Sequence, residues 1–227
     1  MKSNITLFQP GVITLALLPF SSYAVSPWHF DDGQSHEITS GYLSVTKNDI
    51  PILVSGNNTI AKTNSPDYLN FSTASAQTDA VKLEKGAALS LYRSSITTGY
   101  NKSKGIHSVG SSMAMGNGKI ATMGDDATGI VTSRGYLNLD NTSLSTTGNW
   151  SNGIISHGTN INLNDVSIDI SGKGSTGIDA HGGSLYFSGN LHIKSDAHEG
   201  ISVENTYTKL NKTSITLDNT AYLYKSY

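Results

Sequence analysis

A chain of 227 residues with 37% hydrophobic and 14% charged side chains can bury a thin, elongated core, and its surface is polar without being strongly charged. A formal net charge of −2 and only two arginines, Arg93 and Arg134, exclude the clustered cationic face that nucleic acid requires. The chain has no cysteine, which excludes a disulfide framework and suits a polypeptide that stays unfolded during export.

In chain order, residues 1–24 have the form of a secretory signal peptide. Lys2 is a short charged start, Val12 to Leu18 an apolar stretch, and Ser22-Tyr23-Ala24 a small-x-small site with cleavage expected after Ala24. The apolar stretch is far shorter than the ~20 residues a spanning helix needs, and Pro19 ends it. Residues 25–79 carry Trp28, Pro51, Pro66 and weak alternation from His36 to Thr46. They read as an N-terminal cap with the first, irregular coils.

From residue 80 to 220 the sequence repeats. Gly-Ile recurs at Gly105, Gly129, Gly153, Gly177 and Gly200, in steps of 24, 24, 24 and 23 residues, with an earlier coil starting near Val81. Each coil holds three short apolar alternations that align in columns. The first column is Ile106, Ile130, Ile154, Ile178 and Ile201. The second pairs Met113, Leu137, Ile161 and Leu185 with Met115, Leu139, Leu163, Phe187 and Leu210. The third is Ile120, Leu144, Ile168, Leu191 and Ile215. Leu89, Leu91 and Ile96 extend the register one coil upstream.

Period-two alternation turns every second side chain to one side. Three such segments per ~24-residue coil predict an all-β fold, a single-stranded right-handed parallel β-helix of the pectin-lyase-like type. The one-residue shortening is expected in the turn Ser188-Gly189-Asn190, which can absorb it without flipping a strand. Gly110, Gly158 and Gly182 recur in phase, so positive φ is expected at those corners. Asn117, Asn141 and Asp165 share one offset from their coil glycines, the place for a ladder of side-chain hydrogen bonds between coils. Residues 221–227 read as an irregular tail and a truncation point.

The pattern GI-x-x-x-G followed by L-x-L-x-N-T-x-L/I-x-T-x-G, clearest from Gly129 to Gly148, resembles the passenger domains of bacterial autotransporters of the pertactin-like type. The resemblance spans about residues 80–220 together with the signal peptide. It implies a β-helix on the cell surface or released from it, carried across the outer membrane by a C-terminal β-barrel and acting in adhesion, autoaggregation or virulence. The partners it implies are a host-cell surface, a glycan or another bacterial cell. Nothing after residue 220 supplies barrel strands. Contact with the outer membrane is therefore expected only through a missing barrel, and the fragment itself is expected to be periplasmic or secreted.

Catalytic and metal sites find little support. A polysaccharide lyase or hydrolase on this scaffold needs carboxylates clustered with cations on one face. Asp125, Asp126, Asp165, Asp169 and Asp179 fall at different offsets in their coils. His157 and His181 share an offset and should stack, yet two ligands make an incomplete metal site. No nucleotide-binding or calcium-repeat motif is present, and no cofactor is expected. The expectation is a non-catalytic adhesive passenger, with a carbohydrate-active enzyme and an inert remnant of a longer chain as the alternatives.

Overall fold

The computed structural model describes residues 27–39, 42–45, 49–64, 68–73, 75–195, 199–219 and 223–226. The expected signal peptide and its cleavage after Ala24 lie outside the described residues. Strands beginning at Trp28, Ile52, Val81, Ile106, Ile130, Ile154, Ile178, Ile201 and Leu223 pair in parallel, each with the next. The intervals between these starts are 24, 29, 25, 24, 24, 24, 23 and 22 residues. The fold is therefore an all-β parallel solenoid of about 24 residues per coil, as the repeat requires.

Three faces follow from the three alternations. One coil, for example, runs through Ile106–Val109, Ser112–Gly116 and Lys119–Thr122. Inward side chains meet their counterparts above and below at the ~4.8 Å strand spacing, and each is worth about 1.5–3 kcal/mol of burial before entropy is subtracted. Ile106, Ile130, Ile154, Ile178 and Ile201 form the first column, all buried. Met115, Leu139, Leu163 and Phe187 form a second, and Ile120, Leu144 and Ile168 a third, also buried.

The Gly-Ile motif has a steric origin. A Cβ on Gly129 would stand 2.8 Å from the carbonyl oxygen of Gly153 and from Leu144 Cδ1. On Gly153 it would stand 2.4 Å from Gly177 O and 2.8 Å from Ile168 Cγ2. Backbone from the next coil occupies the space a side chain would need, so glycine holds this corner from Gly105 to Gly200, where the first coils have Pro51 and Ala80.

The corners are left-handed at three columns. Gly110, Arg134, Gly158, Gly182 and Asn205 form one, Arg93, Asn117, Asn141, Asp165 and Gly189 a second, and Gln77, Lys102, Asp126, Trp150 and Gly174 a third, all at positive φ. The glycines expected to turn this way do so. The surprise is the bulky residues sharing their columns, because a Cβ at positive φ costs roughly 1–2 kcal/mol. Coil geometry imposes the conformation there, whatever the side chain.

Several expectations are corrected. Ile168 pairs with Ile193 and Ile193 with Leu217, while Leu191 pairs with Val166 and Ile215 with Leu191. Leu191 and Ile215 therefore belong to a neighbouring inward column, two residues from the one assigned, and Ile215 is only partly buried. The turn Ser188-Gly189-Asn190 does not lose a residue. It gains one, as a bulge between Asn164 and Val166 on the facing strand, with Gly189 at φ +66°. The shortening instead falls between Ser195 and Ile201.

Leu210, expected in the core, is 59% exposed. It pairs with Phe187 on one side. The next described strand, Leu223–Ser226, pairs with Ile201–Glu204 and covers none of it. That strand also replaces the irregular tail expected at 221–227. At the other end, the segment read as a cap with the first, irregular coils pairs in register, Ser35–Ile38 with Ile60–Thr63 and Tyr42–Val45 with Leu69–Thr73.

Candidate functional site

His157 and His181 pair in register, and their rings stack with centroids 5.4 Å apart at 23°. His181 Nε2 lies 3.0 Å from Asp179 Oδ1, and its Nδ1 lies 2.9 Å from Glu204 Oε2. Both ring nitrogens of His181 therefore face carboxylate oxygens, and the cluster is a ladder of polar side-chain contacts across three coils. Among the described residues, no group of three or more His, Cys, Asp or Glu is arranged to hold a metal ion.

The carboxylates are not brought together. Asp165 sits at the second corner and Asp126 at the third. Asp169 is in register with Lys194 on the third face, their charged atoms 3.9 Å apart, and Asp179 is in register with Ile155 on the first. Asp79 is an enclosed acid, its side chain 11% exposed. Burial pushes its pKa up, but the hydrogen bond from His107 Nδ1 (2.8 Å) and the charges of Lys104 and His107 outweigh that, and the net shift is downward. Its partners consume it structurally, since the backbone N–H of Lys104 also donates to it at 3.3 Å.

Two surface regions remain. The first is a groove of about 760 Å³ along the second corner and third face, lined by Tyr68, Arg93, Lys119, Asn141, Asp165 and His192 among others. The expected ladder forms its floor: Asn141 Nδ2 donates to Asn117 Oδ1, and the backbone N–H of Asn190 donates to Asp165 Oδ1 at 2.9 Å. Tyr68 closes one side by donating its hydroxyl to the carbonyl of Asn117 at 2.9 Å. A parallel ladder runs along the third corner, where side-chain oxygens of Asn101, Asp125 and Asn149 accept from the backbone N–H of Asp125, Asn149 and Lys173 at 3.0, 2.8 and 3.1 Å. These side chains spend their acceptors on the next coil, which marks them as structural.

The second region is the outer surface of the second face. Asn138, Asn162, Tyr186 and Lys209 stand in one column, and Tyr136, Asn160, Ser184 and Tyr207 in the adjacent one. Tyr136 and Tyr207 are each 62% exposed and Tyr186 37%. The Tyr186 and Tyr207 rings lie 5.9 Å apart at 60°. Beside Tyr186 is a depression of about 330 Å³ lined by Asn138, Asn162, Asn164, Ser188, Lys209 and Asn211. Asn164 is tied to Asp140, and Ser188 donates to Asn164 at 3.1 Å. The amides of Asn138 and Asn162 make no side-chain hydrogen bond among the described residues.

Comparison with known proteins identifies no relative: no family model, no curated protein and no solved structure matches this chain. The reading of function therefore rests on this chain alone. Reading for the core passes over the outward column of the second face. The signal was present in the residues between core positions, where Tyr136, Asn138, Asn160, Asn162 and Tyr186 alternate with inward Leu137, Leu139, Ile161, Leu163 and Leu185. In a solenoid, equal offsets are neighbours in space for outward positions as much as for inward ones.

Proposed function

We propose that this protein is an exported interaction module, the passenger-type β-solenoid of an autotransporter, which adheres to a cell surface and performs no catalysis. The observation that carries this reading is the in-register array of exposed Asn and Tyr side chains on the second face, backed by a rigid apolar column. Such an array presents one kind of contact repeatedly along a rod, and repeated weak contacts add through multivalency. The signal-like residues 1–24 and the Gly-Ile repeat support export and the passenger type.

The test is attachment of beads coated with the purified chain to cultured epithelial cells and to bacteria. Saturable attachment, competed by the soluble chain, is the expected result. Coated beads that attach no better than albumin-coated beads would overturn the reading. Release of new reducing ends from a polysaccharide incubated with the chain would replace it with the catalytic alternative.

A further inference from the structure

The second face has a chemistry that selects a ligand class, and we infer that Tyr186, Tyr207, Asn138 and Asn162 form a binding site for an extended, uncharged glycan. This deepens the adhesive reading above and rests on it for its biological context. The physical case is independent of it.

Aromatic rings exposed on a rigid strand face offer apolar area at low entropic cost, and their hydroxyls remain available for hydrogen bonds. A pyranose presents the complement, an apolar face of C–H groups rimmed by hydroxyls. Tyr186 and Tyr207 stand diagonally on successive coils, Tyr207 in register with Ser184 and Tyr186 with Lys209, with rings 5.9 Å apart. Next to them the open amides of Asn138 and Asn162 each offer two donors and an acceptor, and hydroxyl pairs are what such groups read.

The surrounding side chains decide the ligand's charge. The column through Ala114, Asn138, Asn162 and Tyr186 is uncharged, as is its neighbour through Ser112, Tyr136, Asn160 and Ser184. Lys209 stands at one end and Asp140 at the rim, of opposite sign. No cationic cluster is present among the described residues of this face to hold a uronate or sialic acid. The columns repeat at the strand spacing of ~4.8 Å, a rung length suited to successive sugar units of an extended chain laid along the rod. A peptide strand is the poorer occupant, because the face presents side chains and its backbone N–H and C=O groups are already paired coil to coil.

The experiment is to probe the full chain against a printed array of neutral and acidic oligosaccharides, then to titrate the best binders by calorimetry with the parent, Tyr186→Ala, Tyr186→Phe and Asn162→Ala. Both substituted positions are on the outer surface, and circular dichroism verifies that each variant keeps the β-rich fold. The expected result is binding confined to neutral glycans, weakened about tenfold or more by Tyr186→Ala and kept by Tyr186→Phe. Lys119→Ala, in the groove of the third face, should bind as the parent does.

Binding to no glycan, binding only to acidic ones, or Tyr186→Ala binding like the parent would each overturn the site. Cell attachment measured with the same proteins separates the two readings. Attachment and glycan binding both unchanged by Tyr186→Ala overturn the site and leave the adhesive reading standing, whereas glycan binding without attachment does the reverse. Inhibition of attachment by the soluble oligosaccharide identifies a cell-borne glycan as the source; attachment indifferent to it, beside tight binding in solution, identifies a free polysaccharide.

Discussion

At the scale of single residues, this fold is governed by where a Cβ can go. The carbonyl oxygen of Gly177 lies 2.4 Å from where a Cβ on Gly153 would stand, and both are held by coil stacking. Gly153→Ala should therefore cost more than about 2 kcal/mol, since backbone rather than a flexible side chain must yield. Arg134 poses the opposite case. It occupies at φ +52° a column whose neighbours in adjacent coils are Gly110 and Gly158. Arg134→Gly should raise stability by up to about 1 kcal/mol, the relieved strain being partly offset by the larger entropy of glycine in the unfolded chain. Denaturant titration of the two variants tests both signs.

Asp79 gives the pH dependence at this scale. Its folded pKa is lowered, so the fold favours the ionised form. The stability it contributes is complete above the ordinary aspartate range and is lost as pH falls through that range towards the lower folded value. Asp79→Asn should be less stable than the parent near neutrality, and the gap should close in acid. A gap in melting temperature that widens in acid would contradict this account.

Strands and corners form the next scale, where register is the controlling variable. The bulge at Gly189 sets two residues, Gly189 and Asn190, against the single Asp165 of the facing strand. Deleting Gly189 should leave the inward columns intact, with the melting temperature changed by only a few degrees. Deleting Asn162, in mid-strand, should unfold the coil, because Leu163 and Val166 would exchange faces with their polar neighbours. Thermal scans of the two deletions make the comparison directly. The interior also tolerates hydroxyls where the backbone can receive them. Thr146 donates to the carbonyl of Ser151 at 2.6 Å and Ser151 to that of Gly124 at 2.8 Å. Ser108 and Ser156 depart from this, each with a buried hydroxyl that has no partner among the described residues. Ser156→Ala should be neutral or stabilising by about 1 kcal/mol, matching Ala180 at the same position one coil on.

Over the whole molecule, stability is a sum over neighbouring coils. A middle coil is covered on both sides, whereas the coil containing Tyr207–Asn219 leaves Leu210 59% exposed and Ile215 and Leu217 only partly buried. Amide hydrogen exchange should grade accordingly, slowest for Leu137–Leu139 and Ile161–Leu163 and fastest for Thr208–Leu210. Uniform protection along the rod would mean that coils open together rather than from the end.

The solenoid itself was legible in the sequence because a repeat of 24 residues carries its own register: the Gly-Ile starts and the Ile106 to Ile201 column are in register in space as they are in sequence. Two things were decided only by stacking. Leu191 and Ile193 both face inward, since a shift of two residues preserves the face, so hydrophobicity could not choose between them. Contact with Ile193 Cγ2 at 2.8 Å from the Cβ position of Gly177 does. The outer Tyr and Asn columns were likewise invisible to a search for apolar periodicity, because a polar outward position is unconstrained by the core. Its meaning comes from the side chains that the coils above and below set beside it.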